Sequence, residues 1–225
     1  MKTRYAISDI HGCIKTFKAL LSKINFSKAD ELYLLGDYID KGPKSKEIID
    51  YIWGLQASGH TIHCLKGNHE QMMLDTLIDG SQLSSWLLHG GWNTISSFKV
   101  RWLKEIPDRY IHWMKQLPYY FELDDYILVH AGLDFKYQNP FKSKRSMLWS
   151  RNWQDSINYN WLGHRVIIHG HTPRLKNHIN KSFNEIKAKQ YLNIDNGCFI
   201  DKSGYGHLLA FDMTNQHLYS QPCKD

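Results

Sequence analysis

Apolar residues along the chain follow two rhythms. Seven short stretches are apolar with little interruption: Arg4–Ser8, Glu31–Leu35, Thr61–Leu65, Tyr126–Val129, Arg165–Ile168, Tyr191–Ile194 and His207–Phe211. Such runs predict strands covered on both faces, because a strand with one wet face would alternate polar and apolar positions. Between the early strands the rhythm changes. Ile14, Phe17, Leu20, Leu21 and Ile24 recur at three- and four-residue steps, which predicts a helix with one buried face. Lys46–Leu55 reads as a second helix, ending near Gly54 and Gly59, and Glu70–Ile78 as a third. From about residue 76 to 116 the chain is helical in tone and carries Trp86, Trp92, Phe98, Trp102, Tyr110 and Trp113. This predicts an aromatic-rich helical subdomain packed over or beside the strand ends. Alternating strands and helices make the fold class α/β. No repeat, low-complexity tract or linker divides the sequence, so one domain over residues 1–225 is expected.

Polar groups recur where the apolar runs stop. Asp9 and His11 follow the first strand, Asp37 and Asp40 the second, Asn68 and His69 the third, and His130 and His171 two later ones. In α/β folds ligands bind beyond the carboxyl ends of strands, where loops converge on a rigid frame. Asp, His and Asn together, without a thiolate, suit divalent metal ions. A carboxylate can bridge two such ions, and a pair ~3.5–4 Å apart can clamp a phosphoryl group. Each segment is weak taken alone. Asp-x-His is common, Gly-Asn-His-Glu could be a turn before a helix, and one buried histidine is usually structural. Their occurrence in order, at successive strand ends, carries the inference.

Charge and composition narrow the setting. The 225 residues carry a formal net charge of +6, which suits an anionic substrate. The basic residues are spread along the chain, so specific nucleic-acid binding is not expected. No apolar run approaches the ~20 residues needed to cross a bilayer. Asp9 interrupts the first apolar stretch, a poor match to a signal peptide, so a cytoplasmic location is expected. Cys13, Cys64, Cys198 and Cys223 show no Cys-x-x-Cys spacing and read as free thiols, not as a zinc site or disulfide framework.

The segments Ser8–Gly12, Gly36–Gly42, Gly67–Glu70, Val129–Gly132 and Gly170–Pro173 resemble the calcineurin-like metallophosphoesterases, and within them the bacterial and phage branch of serine/threonine protein phosphatases. The resemblance runs from residue 4 to about 212 and includes Tyr191–Gly197. It implies a four-layer αββα β-sandwich flanked by helices, with two divalent ions at one end, manganese foremost and iron or zinc as alternatives. Asp9 and His11 would hold the first ion, Asp37 would bridge, and Asn68, His130 and His171 would hold the second. A hydroxide between the ions would attack phosphorus in line, while His69, oriented by Asp40, would protonate the departing alkoxide. Asn68 would also meet the substrate phosphate. Lys41 stands where the family usually has arginine and supplies charge without a bidentate fork. Arg151, in Leu148–Arg151, is then the candidate for a forked phosphate contact. Pro173 replaces a further histidine found in related enzymes, and His169 is expected to be a packed side chain.

The implied activity is a metal-dependent phosphomonoesterase acting on phosphoserine or phosphothreonine in proteins, or on small phosphate esters. A diadenosine tetraphosphate (dinucleoside polyphosphate) hydrolase or a general small-molecule phosphatase is the alternative. Asp40 favours the first reading, since the tetraphosphate hydrolases commonly lack an acid there. A catalytically silent metal-binding module is a third reading, against which the complete donor set argues.

Overall fold

Both faces of the expected strands are covered in the computed structural model, which describes residues 2–225. The strands are β1 (Arg4–Ile7), β2 (Glu31–Leu34), β3 (Thr61–Cys64), β4 (Tyr120–Glu122), β5 (Tyr126–Val129), β6 (Val166–His169), β7 (Tyr191–Asn193), β8 (Asp195–Asn196), β9 (His207–Asp212) and β10 (His217–Pro222). One sheet runs β10-β9-β1-β2-β3, with β8 against β9; the other runs β4-β5-β6-β7. β1, β2 and β3 are parallel, as are β5, β6 and β7, so their carboxyl ends emerge together.

Alternation along each strand divides the core into three. Ile7, Leu32, Leu34 and Ile62 meet Phe17, Leu20, Ile48 and Ile52 from the helices α1 (Ile14–Lys23) and α2 (Ser45–Ala57), which lie outside the first sheet. Ala6, Tyr33 and Phe211 point the other way and meet Tyr126, Leu128 and Ile168 between the sheets. Ile127, Val129 and Ile167 leave the second sheet on its far side, against Met147, Trp153 and Leu162. The result is helix, sheet, sheet, helix, the four layers the resemblance implied. Phe211 is fully buried in the middle layer, so Phe211→Ala should cost about 3–5 kcal/mol, read as a lower midpoint in denaturant unfolding.

Three departures from the sequence reading matter for the site. β4 and β10 were not foreseen; they are edge strands of mixed polarity, which need no two-sided apolar cover. The strand expected over Tyr191–Ile194 forms as β7 and stops one residue short, at Asn193. The chain leaves the second sheet after Asn193 and joins the first at Asp195, which therefore sits on the seam between them. The helix α3 (Asn68–Ile78) starts two residues earlier than expected, placing Asn68 and His69 in its first turn.

The aromatic segment folds into short helices, including Leu83–Trp86, Trp92–Phe98 and Asp108–Gln116. Gly90 breaks them with φ 107° and lies so near the Lys41 amide that a β-carbon would collide with it. That contact seats the segment on the Asp40–Lys41 turn.

Candidate metal centre and active site

Because β1 and β2 are parallel neighbours, the loops that follow them knit together. His11 N donates to Asp37 O and Gly12 N to Tyr38 O, both at 2.9 Å. Among the described residues, ten non-glycine residues have positive φ, and six of them are Asp9, His11, Asp37, Asp40, Lys41 and His171. A left-handed non-glycine residue costs roughly 1–2 kcal/mol, so the chain concentrates its backbone strain at one place. Gly67 removes the remaining obstacle: a β-carbon there would overlap the Asp37 carboxylate.

The six expected metal donors converge. His11 Nδ1 is 2.8 Å from Ile39 O, which leaves Nε2 facing Asp37 Oδ2 at 3.5 Å. His130 Nδ1 is 2.9 Å from Leu35 O, and its Nε2 lies 2.8 Å from Asn68 Oδ1 and 3.6 Å from Asp37 Oδ1. His171 Nδ1 meets the same Asn68 oxygen at 2.8 Å. Backbone carbonyls thus fix the orientation of two imidazoles, as they do for metal-binding histidines generally. Asp9 accepts the His171 amide at 3.1 Å, and Asp37 accepts the His69 amide at 3.0 Å. Two overlapping groups, His11–Asp37–His69 and Asp9–Asp37–His130, keep their donor atoms within 4.8 Å and share Asp37.

Asp9, Asp37 and Asp195 are 1%, 2% and 3% exposed. Burial, reinforced by Asp195 and Asp37, holds the Asp9 carboxyl well above the usual carboxylate range. Burial also pushes Asp195 up to about 7. Burial opposes the Asp37 charge, but His130, His69 and His11 outweigh it and hold this group low. Burial presses His11 and His171 down to about 3 and lowers His130. Among the described residues, Asp37 forms ion pairs with histidines alone, and His171 Nε2 is buried without a partner. Crowded buried carboxylates, imidazoles and an amide oxygen fit divalent cations.

Beside the donors sits a second constellation. His69 Nδ1 is 2.7 Å from Asp40 Oδ2. Asp40 is fully buried, accepting from Trp86 Nε1 at 2.9 Å and Thr94 Oγ1 at 2.6 Å, while its own amide reaches Thr94 Oγ1 and Ser45 Oγ. Burial lowers the His69 pKa, but Asp37 and Asp40 overcome it and hold the imidazole above its ordinary value. The aromatic segment packs as its sequence predicts, with Trp86, Phe98 and Tyr110 in the core, and Trp86 and Thr94 also fix the orientation of Asp40. The available signal was the indole N–H, which needs an acceptor when buried. Trp86→Phe keeps the ring and removes the donor. Turnover should fall about ten- to hundredfold with metal content unchanged, as measured by steady-state kinetics alongside metal analysis.

Two further residues were named in motifs without a role. Glu70 is fully buried and accepts the amides of Asp37, Tyr38 and Gly67 at 2.8–2.9 Å, joining the second and third loops. Its spacing, three residues past the helix cap, is the reach-back half of a capping box. Asp195 adds its buried carboxyl to the cluster from the seam between sheets.

The expected phosphate cations are near but not in the donor cluster. Lys41 Nζ stands 5.8 Å over the Phe199 ring, and its charge helps lower the His11 pKa. Arg151 is exposed and acts likewise on His171. His169 is a packed side chain, as expected, with its ring 5.1 Å from Trp153. The cysteines are free, but Cys13, Cys198 and Cys223 are gathered in space despite their separation in sequence. No helix among the described residues is long and apolar enough to cross a membrane.

Comparison with known proteins bears on this geometry. The sequence profile of the calcineurin-like phosphoesterases matches residues 3–208. A symmetrical bis(5'-nucleosyl)-tetraphosphatase of Pseudomonas putida is 30% identical over 138 residues, 57% of this chain and 42% of the relative. One of Nitrosococcus oceani is 31% identical over 163 residues, 68% of this chain and 54% of the relative. The chain thus spans about half the length of these curated relatives, which carry the name the sequence reading ranked second. In fold, a chain provisionally named a diadenosine tetraphosphatase superposes with TM-score 0.69 at 19% identity, covering 100% of this chain and 95% of its own. A protein serine/threonine phosphatase of Saccharomyces cerevisiae also gives TM-score 0.69, at 14% identity, covering 100% and 81%.

Proposed function

Since the chain belongs to the calcineurin-like phosphoesterase family, we propose that it hydrolyses phosphoanhydride bonds in dinucleoside polyphosphates, with diadenosine tetraphosphate as the representative substrate. The observation that carries this reading is the 30–31% identity to symmetrical bis(5'-nucleosyl)-tetraphosphatases. Asp9, His11 and Asp37 would hold one divalent ion; Asp37, Asn68, His130 and His171 would hold another. Manganese fits this N/O donor set, as do iron and zinc. Bound ions would supply Lewis acidity and water ionised near neutral pH.

The chain's own residues do the rest. Lys41 and Arg151 draw the polyphosphate toward the donor cluster, with Asn68 beside it, and the net charge of +6 favours the approach of such an anion. His69, oriented through Nδ1 by Asp40, keeps its Nε2 on the side of Asp37, 4.0 Å from Oδ2, where it can give a proton to a leaving oxygen.

The His69–Asp40 pair supports a second reading. Nucleotides leave from an anhydride as weakly basic phosphates and need little protonation, whereas a seryl or threonyl alkoxide needs an acid. The fully built pair therefore favours phosphomonoesters, including phosphoserine and phosphothreonine. Side-by-side turnover of diadenosine tetraphosphate and a phosphoserine peptide by the manganese-loaded protein decides between them. The first reading expects the higher kcat/KM on the nucleotide; cleavage of the peptide alone overturns it.

A further inference from the structure

We propose that Cys13, Cys198 and Cys223 form a second metal site, a three-thiolate centre for a borderline-soft cation of the Zn2+ type, separate from the phosphoesterase centre. Their sulfur atoms lie within 4.8 Å of one another. Thiolates on one tetrahedral ion, at ~2.3 Å each, stand about 3.8 Å apart, so small side-chain rotations close the site. The three residues arrive on separate parts of the fold. Cys13 ends the loop after β1, Cys198 follows β8, and Cys223 follows β10.

This environment suits ligation better than plain packing. Cys13 and Cys198 are buried, while Cys223 is exposed and borders a cavity of about 440 Å³ that it shares with Cys198, Tyr205 and His207. This cavity would give an ion access to the sulfurs of Cys198 and Cys223. Cys223 is held in place: its amide donates to Gly206 O at 2.8 Å. The Asp225 carboxylate accepts the Lys15 and Thr16 amides at 3.0 Å. Thr16 Oγ1, 3.7 Å from Cys223 Sγ, donates to Asp225 Oδ2 and accepts the Lys224 amide, both at 2.8 Å, so it anchors the segment that carries Cys223. The Cys198 thiol beside it draws the Cys223 thiol down to about 5. A disulfide would use two of these sulfurs and strand the third; an ion uses all three, and binding releases the remaining thiol protons to solvent.

The site touches the catalytic loops through covalent neighbours. Cys13 lies two residues beyond His11 and approaches its carbonyl at 3.6 Å, while Phe199, next to Cys198, packs edge-on against the His11 ring at 4.9 Å. Filling the thiolate site would brace both.

Co2+ titration of the full, manganese-loaded chain tests this under reducing, oxygen-free conditions. The N/O donors of the phosphoesterase centre give no sulfur-to-cobalt charge transfer, so the two sites are spectrally distinct. The wild type should develop a near-ultraviolet charge-transfer band that saturates at one equivalent, with strong tetrahedral visible bands. Cys223→Ser, at an exposed position, should weaken Co2+ binding by about tenfold or more and diminish the band. In the wild type, Zn2+ should protect Cys223 from alkylation. Absence of the band in the reduced wild type overturns the proposal. An unchanged band in Cys223→Ser, or alkylation of Cys223 unaffected by Zn2+, does so equally.

Discussion

Replacing Asp37 by Asn will remove metal and activity together. Asp37 belongs to both donor groups, and its two oxygens face opposite partners: Oδ2 toward His11, Oδ1 toward His130. An asparagine keeps one oxygen to accept the His69 amide, so the local fold should persist. It removes the carboxylate charge that both donor groups share and that would offset the charge of bound cations. We expect bound metal, measured by elemental analysis, to fall below half its wild-type content. Turnover should fall on the order of 10³-fold, equivalent to about 4 kcal/mol of transition-state stabilisation. Near-normal turnover with a full metal complement would remove Asp37 from its bridging role.

His69→Asn separates proton transfer from metal binding. Asparagine can still meet Asp40 but has no proton to give at neutral pH. Metal content should be retained. Aryl and alkyl phosphates of rising leaving-group pKa should slow progressively, reaching about 10²–10⁴-fold for alkoxides. Diadenosine tetraphosphate, with its weakly basic leaving group, should slow by less than about tenfold on the same reasoning. Equal slowing across the series would count against His69 as the acid. The experiment also weighs the two substrate readings, since an enzyme dedicated to anhydrides would have little use for the acid it carries.

What the sequence revealed follows from locality. Asp9, His11, Asp37, Asn68, His130 and His171 each lie at the end of a two-sided apolar run, so one strand assignment places each of them. The same logic found β1, β2, β3, β5, β6, β7 and β9. It passed over β4 and β10, whose residues are part-exposed or exposed apart from Gln221 and so leave no apolar run. Trp86 and Thr94 were hidden for a different reason. They lie 46 and 54 residues from Asp40, and nothing in a helical pattern says which turn of which loop it will cover. Asp195 lies one residue beyond the run Tyr191–Ile194, and an apolar pattern gives no sign that the chain changes sheets there. The cysteines were judged by their spacing, which reports chain neighbours and is blind to three distant segments meeting behind one loop.

The grip of Glu70 on three loop amides has a consequence for how this protein would live with its ions. Glu70 ties the Asp37 loop to the head of α3 through ordinary hydrogen bonds, and backbone carbonyls aim His11 and His130 independently of any cation. A receptacle held by such bonds would keep its shape as ions come and go. Cations could then be replaced as exchangeable cargo, without remoulding the fold around them. A nitrogen and oxygen lining suits several divalent ions, so occupancy would become a record of local supply, and the surroundings would decide which ion the cluster carries.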